Sequence, residues 1–113
     1  MTFEELQTAT LEWASARGIL EHSTPQAQCL KGLEELGELA AGIARSDGSL
    51  IADALGDLLV VEILLARLSG LDLVDCLEGA YETIKNRRGY LNASGVFIKE
   101  EPTFQLAEGA GHD

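Results

Sequence analysis

The stretch Leu50–Val61, LIADALGDLLVV, decides the fold because it is apolar at nearly every position. A helix that is apolar on nearly all sides is normally buried. Two carboxylates, Asp53 and Asp57, interrupt this stretch one helical turn apart. A buried carboxylate is costly unless a partner compensates its charge. We therefore expect a central helix whose two acidic residues are buried and paired with a functional partner, for which a divalent metal ion is the simplest choice.

The preceding stretch Lys31–Ala40, KGLEELGELA, carries more carboxylates on a second predicted helix. At about 100° per residue, its polar side chains share one stripe, roughly a third of the circumference wide, and its apolar side chains lie opposite. Such a stripe is typical of a solvated surface, although neighbouring carboxylates repel each other. The stripe comprises Gln28, Lys31, Glu34, Glu35 and Glu38.

A short turn separates the two acidic helices, which predicts that they are antiparallel neighbours. Their carboxylates then converge, and oxygen ligands of this kind suit Mg²⁺ or Mn²⁺. Neither stretch contains histidine, which argues against a zinc site and against a di-iron bundle. The two histidines, His22 in a predicted loop and His112 in the tail, are expected at the surface.

Capping and stop signals predict an all-α fold. Thr2 with Glu5 resembles a capping box, Pro25 follows two hydroxyl residues, and Asp72 precedes an apolar run. These signals predict helices over about 3–16, 25–45, 49–69 and 73–88. Residues 90–98 are expected to form a hairpin-like turn. The chain is expected to be one helical domain over 1–100, followed by a mobile tail over 101–113.

The composition excludes several classes of function. The chain has 113 residues and a net charge of −11, which argues against a nucleic-acid groove. The N-terminus lacks the features of a signal peptide, and charges interrupt the most apolar helix, so we expect a cytoplasmic protein with no membrane contact.

Cys29 and Cys76 fall within apolar helical patterns, so we expect two buried free thiols.

The acidic motifs resemble those of the MazG-type, all-α nucleoside triphosphate pyrophosphohydrolases, in their small single-domain, phage-like form. The first family motif, Glu-Glu-x-x-Glu, is matched in full at Glu34, Glu35 and Glu38. The second, Glu-x-x-Asp, is matched at Asp57, but Ala54 stands where the family has Glu. Asp53, one residue earlier, is the candidate substitute. The resemblance extends over about residues 13–100.

The resemblance implies an enzyme that cleaves a nucleoside triphosphate between the α and β phosphates, with Mg²⁺ as cofactor and Mn²⁺ able to substitute. It implies metal ligation by Glu35, Glu38 and Asp57, with Asp53 as a further candidate. Glu34 is expected to orient or deprotonate the attacking water, or to bind a further metal. The candidate substrate-binding residues are Gln28, Lys31, Lys85, Arg88 and Trp13.

Other interpretations stay open at this level. The long apolar helix needs more covering than one short chain supplies, so we expect a four-helix bundle completed by dimerisation, as a homodimer or a dimer of dimers. The cellular role is expected to be house-cleaning of the nucleotide pool. The alternatives are a dUTPase-like or dCTPase-like member with narrow specificity, a non-catalytic oligomerisation or antitoxin-like module, which Ala54 favours, and a metal buffer.

Overall fold

The computed structural model describes residues 1–101 and confirms the all-α class. It forms two compact units, Met1–Glu78 and a second beginning at Gly79. The predicted tail lies outside the described residues from residue 102 onward, and the single domain over 1–100 stays a prediction. The elements are α1 (Phe3–Ala16), α2 (Ile19–His22), α3 (Pro25–Ala44), α4 (Gly48–Leu68), α5 (Leu73–Ile84), β1 (Gly89–Leu91) and β2 (Phe97–Lys99).

Side-chain caps set the beginnings of the three long helices, as predicted for α1 and α3; the cap of α4 lies in the segment that was predicted as a turn. Thr2 and Glu5 form the capping box of α1, with Thr2 Oγ1 accepting from the Glu5 amide at 3.0 Å and Glu5 Oε1 accepting from the Thr2 amide at 2.7 Å. Thr24 caps α3 and Asp47 caps α4, each by accepting a hydrogen bond from a backbone amide of the first turn. These bonds satisfy amide donors that otherwise have no partner within the helix.

Two boundaries differ from the prediction. Gly18 has a left-handed backbone, with φ of 77°, after which the chain forms the short helix α2. His22 therefore ends a helix rather than lying in a loop. The last predicted helix, α5, ends at Ile84 instead of near residue 88. The chain must leave the helix there because Gly89 already pairs with Lys99 in the hairpin.

The hairpin of β1 and β2 confirms the turn predicted over 90–98. Its strands are antiparallel, with Tyr90 opposite Ile98. Asn92 Oδ1 accepts from the amides of Ser94 and Val96, which closes the turn. A Cβ atom at Gly89 would collide with the carbonyl oxygen of Ile98, so only glycine fits this position.

Helices α3 and α4 are antiparallel neighbours, as expected. A Cβ atom at Gly32 would lie 3.6 Å from Val61, and one at Gly42 would lie 3.2 Å from Ile51. The two glycines thus let the helix backbones approach closely. The buried hydrophobic side chains belong mostly to α4, with one contributed by α1: Ala14, Ala54, Val61, Ile63, Leu64 and Ala66.

The expectation that α4 is buried on all sides is wrong for the single chain. Asp53 and Asp57 are both exposed, and Leu55 is 53% exposed. The two expected buried thiols, Cys29 and Cys76, are also exposed. The physical reason is that each helix buries only the side it turns toward its neighbours within the chain. Among the described residues, no helix is both long and apolar enough to cross a membrane.

Candidate active site

An open pocket of about 470 Å³ lies within the first unit, between α1, α2, α3 and α4. Its polar lining consists of Trp13, Gln28, Lys31, Glu35 and Asp57. Its apolar lining consists of Ile19, Ala27, Val60, Val61 and Leu64. All five polar or aromatic lining residues were candidates from the sequence, and the structure brings them together at one place.

Glu35 is the buried carboxylate of this pocket. It is 6% exposed, and its buried Oε1 atom has no hydrogen-bond partner among residues 1–101. Its Oε2 atom lies 3.6 Å from the Lys31 Nζ atom. An unsatisfied buried acceptor is costly, and a charged one more so. The side chain is therefore suited to a cationic ligand that would complete its coordination.

Asp57 reaches the same pocket from α4. The antiparallel register sets Gly32 opposite Val61, so Asp57, one turn before Val61, faces α3 near the level of Glu35. Unlike Glu35, Asp57 is exposed. The two carboxylates thus supply oxygen donors from two facing helices, one from a buried and one from an open position.

Lys31 connects the acidic residues of α3. Its Nζ atom lies 3.1 Å from Glu34 Oε1, one helical turn away, and 3.6 Å from Glu35 Oε2. The hydrogen bond with Glu34, and then the charge of Glu34, raise the pKa of the Lys31 ammonium, and Glu35 adds to the effect. Lys31 therefore stays positively charged at neutral pH at the edge of the pocket.

The structure does not bring all the predicted ligands together. Glu34, Glu38 and Asp53 are exposed and are not part of the pocket lining. Ala54 is 1% exposed, whereas Asp53 is rotated by about 100° from it around α4. Within residues 1–101, no three acidic, histidine or cysteine side chains are close enough to form a metal site.

The end of the pocket near α1 and α2 is aromatic and apolar. Trp13 is 46% exposed, and the Arg17 guanidinium carbon lies 5.7 Å from the centroid of its ring. The Gln28 amide nitrogen donates to Ser23 Oγ at 3.0 Å. Ile19 could not be identified from the sequence because a four-residue helix has no periodicity. Val60, Val61 and Leu64 could not be singled out because α4 is apolar at most of its positions.

Lys85 and Arg88 belong to the second unit, beyond α5. Lys85 Nζ pairs with Glu82 at 2.7 Å, and the Arg88 carbonyl accepts from the Glu100 amide. Both side chains are exposed. Their expected contact with phosphate stays a prediction.

The fold and the pocket define a class of small all-α proteins in which two antiparallel helices present carboxylates to an open pocket. The sequence model of the MazG nucleotide pyrophosphohydrolase domain matches residues 23–91, which is more than half of the chain. The chain belongs to this family of hydrolases, and the resemblance of its acidic motifs is confirmed. The matched residues include α3, α4 and α5, and they end at β1.

Two phage proteins are similar to this chain. An uncharacterised 18.2 kDa protein from the rep–hol intergenic region of Haemophilus phage HP1 is 43% identical over 63 residues, which are 56% of this chain and 39% of that protein. The chain thus spans about two fifths of this relative's length. The cyanophage S-2L MazG-like pyrophosphohydrolase, solved with dGDP and three catalytic Mn²⁺ ions per active site, aligns with a TM-score of 0.69 at 24% identity, covering 91% of this chain and 97% of that one. This likeness shows that the fold is shared.

Proposed function

We propose that the protein is a Mg²⁺-dependent nucleoside triphosphate pyrophosphohydrolase that clears nucleotides from the pool, with Mn²⁺ able to replace Mg²⁺. The observation that carries the proposal is the buried Glu35, whose Oε1 atom lacks a partner and which shares a pocket with Asp57. The family membership and the fold shared with the metal-bound cyanophage enzyme support it.

The dimensions of the pocket suit a nucleotide. Gln28 and Glu35 are seven residues apart on α3, which corresponds to roughly 10 Å along the helix axis. The end at Glu35 is charged, and the end at Gln28 and Trp13 is aromatic and apolar. Ligand sites commonly combine an apolar wall with a few charged groups that fix orientation. The phosphates would lie at the charged end and the base at the aromatic end.

Glu35, Glu38 and Asp57 would hold the metal ion, and Asp53 is a further candidate ligand. The donor set consists of carboxylate oxygens, which Mg²⁺ and Mn²⁺ prefer. When bound, the ion would supply positive charge that offsets the negative charge of the phosphates. This function suits a chain whose net charge of −11 would otherwise repel a triphosphate.

The reaction needs a water molecule, since the described pocket lining contains no serine, cysteine or histidine nucleophile. The water oxygen forms a bond to the α phosphorus, the bond between that phosphorus and the bridging oxygen breaks, and pyrophosphate leaves. Glu34, hydrogen-bonded to Lys31, is the proposed acceptor of the proton from water. Lys31, Lys85 and Arg88 would bind phosphate, while Trp13 and Gln28 would contact the base or sugar.

A second copy of the chain is the proposed partner. The apolar side of α3 is uncovered: Leu30 is 67% exposed and Leu33 is 62% exposed. Contiguous apolar surface of this kind marks an interaction site. It runs along α3 through Cys29, Leu30, Leu33, Leu36, Ala40 and Ile43. We propose that two such faces pack together in a homodimer, with a dimer of dimers as the larger assembly.

Product identification tests the proposed activity. The protein is incubated with Mg²⁺ and each ribonucleoside and deoxyribonucleoside triphosphate, and the products are separated by anion exchange. We expect nucleoside monophosphate and pyrophosphate, and their loss when a chelator is added. The same panel reveals whether the enzyme is a narrow dUTPase-like or dCTPase-like member.

One observation favours a different function. Ala54 is buried in the helix pair at the position where family members carry a glutamate, so one expected carboxylate is missing. This favours a non-catalytic helical oligomerisation module. Such a module would release no pyrophosphate from any nucleotide and would show no stabilisation by Mg²⁺.

A further inference from the structure

The segment between α1 and α3 contacts the two side chains that form the base end of the pocket. Arg17 is the C-terminal cap of α1, and its guanidinium carbon lies 5.7 Å from the centroid of the Trp13 ring. Ser23, immediately after α2, accepts a hydrogen bond of 3.0 Å from the Gln28 amide. The partners in each contact are only four or five residues apart in sequence. Each contact therefore holds a pocket side chain against the short segment that connects α1 to α3.

Trp13 needs such a contact to keep one orientation. It is 46% exposed, so protein packing covers only about half of the residue. A guanidinium within about 6 Å of an indole face is attracted by the negative charge of that face. Arg17 therefore stabilises the orientation of the indole that is seen in the pocket lining.

Gln28 is restrained in a comparable way. It is half-buried, and its hydrogen bond with Ser23 fixes the plane of its amide group. The amide nitrogen is thereby engaged, and since no group within residues 1–101 donates a hydrogen bond to the amide oxygen, that oxygen could accept one from a ligand in the pocket. An amide that is fixed in this way distinguishes donors from acceptors on a ligand better than one that rotates freely.

We infer that Arg17 and Ser23 are positioning residues, which hold Trp13 and Gln28 in the geometry that recognises a nucleobase. This inference rests on the proposed function, because it needs a nucleotide in the pocket. Neither residue is among the pocket-lining residues, and both contact the base end of the pocket rather than the charged end, where the phosphates would lie. Their effect should therefore fall on substrate binding and base preference and leave the chemical step alone.

The test uses Trp13, the single tryptophan of the chain, as a fluorescent reporter. Nucleoside monophosphates with different bases are titrated into the wild type and into Arg17→Ala, Arg17→Lys and Ser23→Ala. We expect quenching of the wild type and about two- to fivefold weaker binding by Arg17→Ala, which is the effect of losing one cation–π contact. Arg17→Lys keeps the cation and should recover part of the loss. Ser23→Ala should reduce the difference in affinity between bases.

A matched control is Arg45→Ala. Arg45 is likewise an exposed C-terminal cap of a long helix, and its replacement removes the same charge at a position outside the pocket lining. It should leave the binding constants unchanged.

Turnover of the best triphosphate should show a raised KM for Arg17→Ala with unchanged kcat. Circular dichroism checks that each variant is folded. If Arg17→Ala is unfolded, the same binding measurements are made with Arg17→Lys.

The outcomes separate the two proposals. If the wild type binds and hydrolyses nucleotides but Arg17→Ala and Ser23→Ala match Arg45→Ala, the positioning role is wrong and the proposed function stands. A fall in kcat at unchanged KM for Arg17→Ala would also overturn the positioning role. If the wild type neither binds nor hydrolyses any nucleotide, the proposed function itself fails.

Discussion

Replacing Glu35 by glutamine separates the proposed metal site from the fold. The substitution keeps the size of the side chain and removes a buried charge whose Oε1 atom has no partner. An unsatisfied buried acceptor costs about 1–3 kcal/mol, and more when it is charged, so the neutral amide is the less costly group at this position. The variant loses the ion pair to Lys31, but that pair is 3.6 Å long and Lys31 is exposed, so solvent screens the attraction and its loss should cost little. Without metal, Glu35→Gln should be as stable as the wild type or slightly more stable.

With metal, the order should reverse. A ligand at one hundred times its Kd stabilises the folded state by about 2.7 kcal/mol. For a chain of this size, this corresponds to an increase in Tm on the order of 10 °C. The wild type should show this increase on titration with Mg²⁺ or Mn²⁺, and Glu35→Gln should show little or none and have no activity.

Thermal unfolding followed by circular dichroism measures both effects. Glu62→Gln is the matched control, because Glu62 is an exposed glutamate of α4 that is not among the pocket-lining residues. Its metal response should equal that of the wild type. A Tm increase in Glu35→Gln as large as in the wild type would refute the assignment of Glu35 as a metal ligand. A large loss of metal-free stability would show that the carboxylate has a structural role instead.

Three further substitutions test the account. Asp57→Ala should abolish turnover. Because Asp57 is exposed, the substitution should change the metal-free free energy of unfolding by less than about 0.5 kcal/mol. A larger loss of unfolding free energy in a denaturant titration would show that Asp57 has a protein partner. Glu38→Gln should abolish pyrophosphate release with an unchanged circular dichroism spectrum, and wild-type rates would show that it is not a ligand. Leu33→Glu, which places a charge on the exposed apolar face of α3, should convert the proposed dimer to a monomer in sedimentation velocity. A dimer that this substitution leaves unchanged, or a folded wild-type monomer at micromolar concentration, would contradict the proposed interface.

The sequence was most informative where a local interaction decides the structure. The caps at Thr2, Thr24 and Asp47 need only a hydroxyl or carboxylate near a free amide, so the beginnings of α1, α3 and α4 were predictable to within a residue or two. The end of α5 was not predictable in this way. Residues 85–88 leave the helix because Gly89 pairs with Lys99, which lies ten residues further along the chain.

Periodicity identified the acidic face of α3, but it did not reveal which carboxylate is buried. Glu34, Glu35 and Glu38 all lie on the polar stripe of the helical projection, and only the position of α4 makes Glu35 the one that is 6% exposed. The prediction of buried thiols failed for a related reason. Cys29 lies on an apolar face, as the pattern indicates, but within residues 1–101 nothing covers this side chain.

The most direct test of the central claim is the fate of the water oxygen during turnover. The protein is incubated with Mg²⁺ and its best triphosphate in water enriched in heavy oxygen, and the products are analysed by mass spectrometry. We expect monophosphate and pyrophosphate in equal amounts, with one heavy oxygen in the monophosphate, because water attacks the α phosphorus. Label in pyrophosphate, a diphosphate product with inorganic phosphate, or no product with any nucleotide would contradict it.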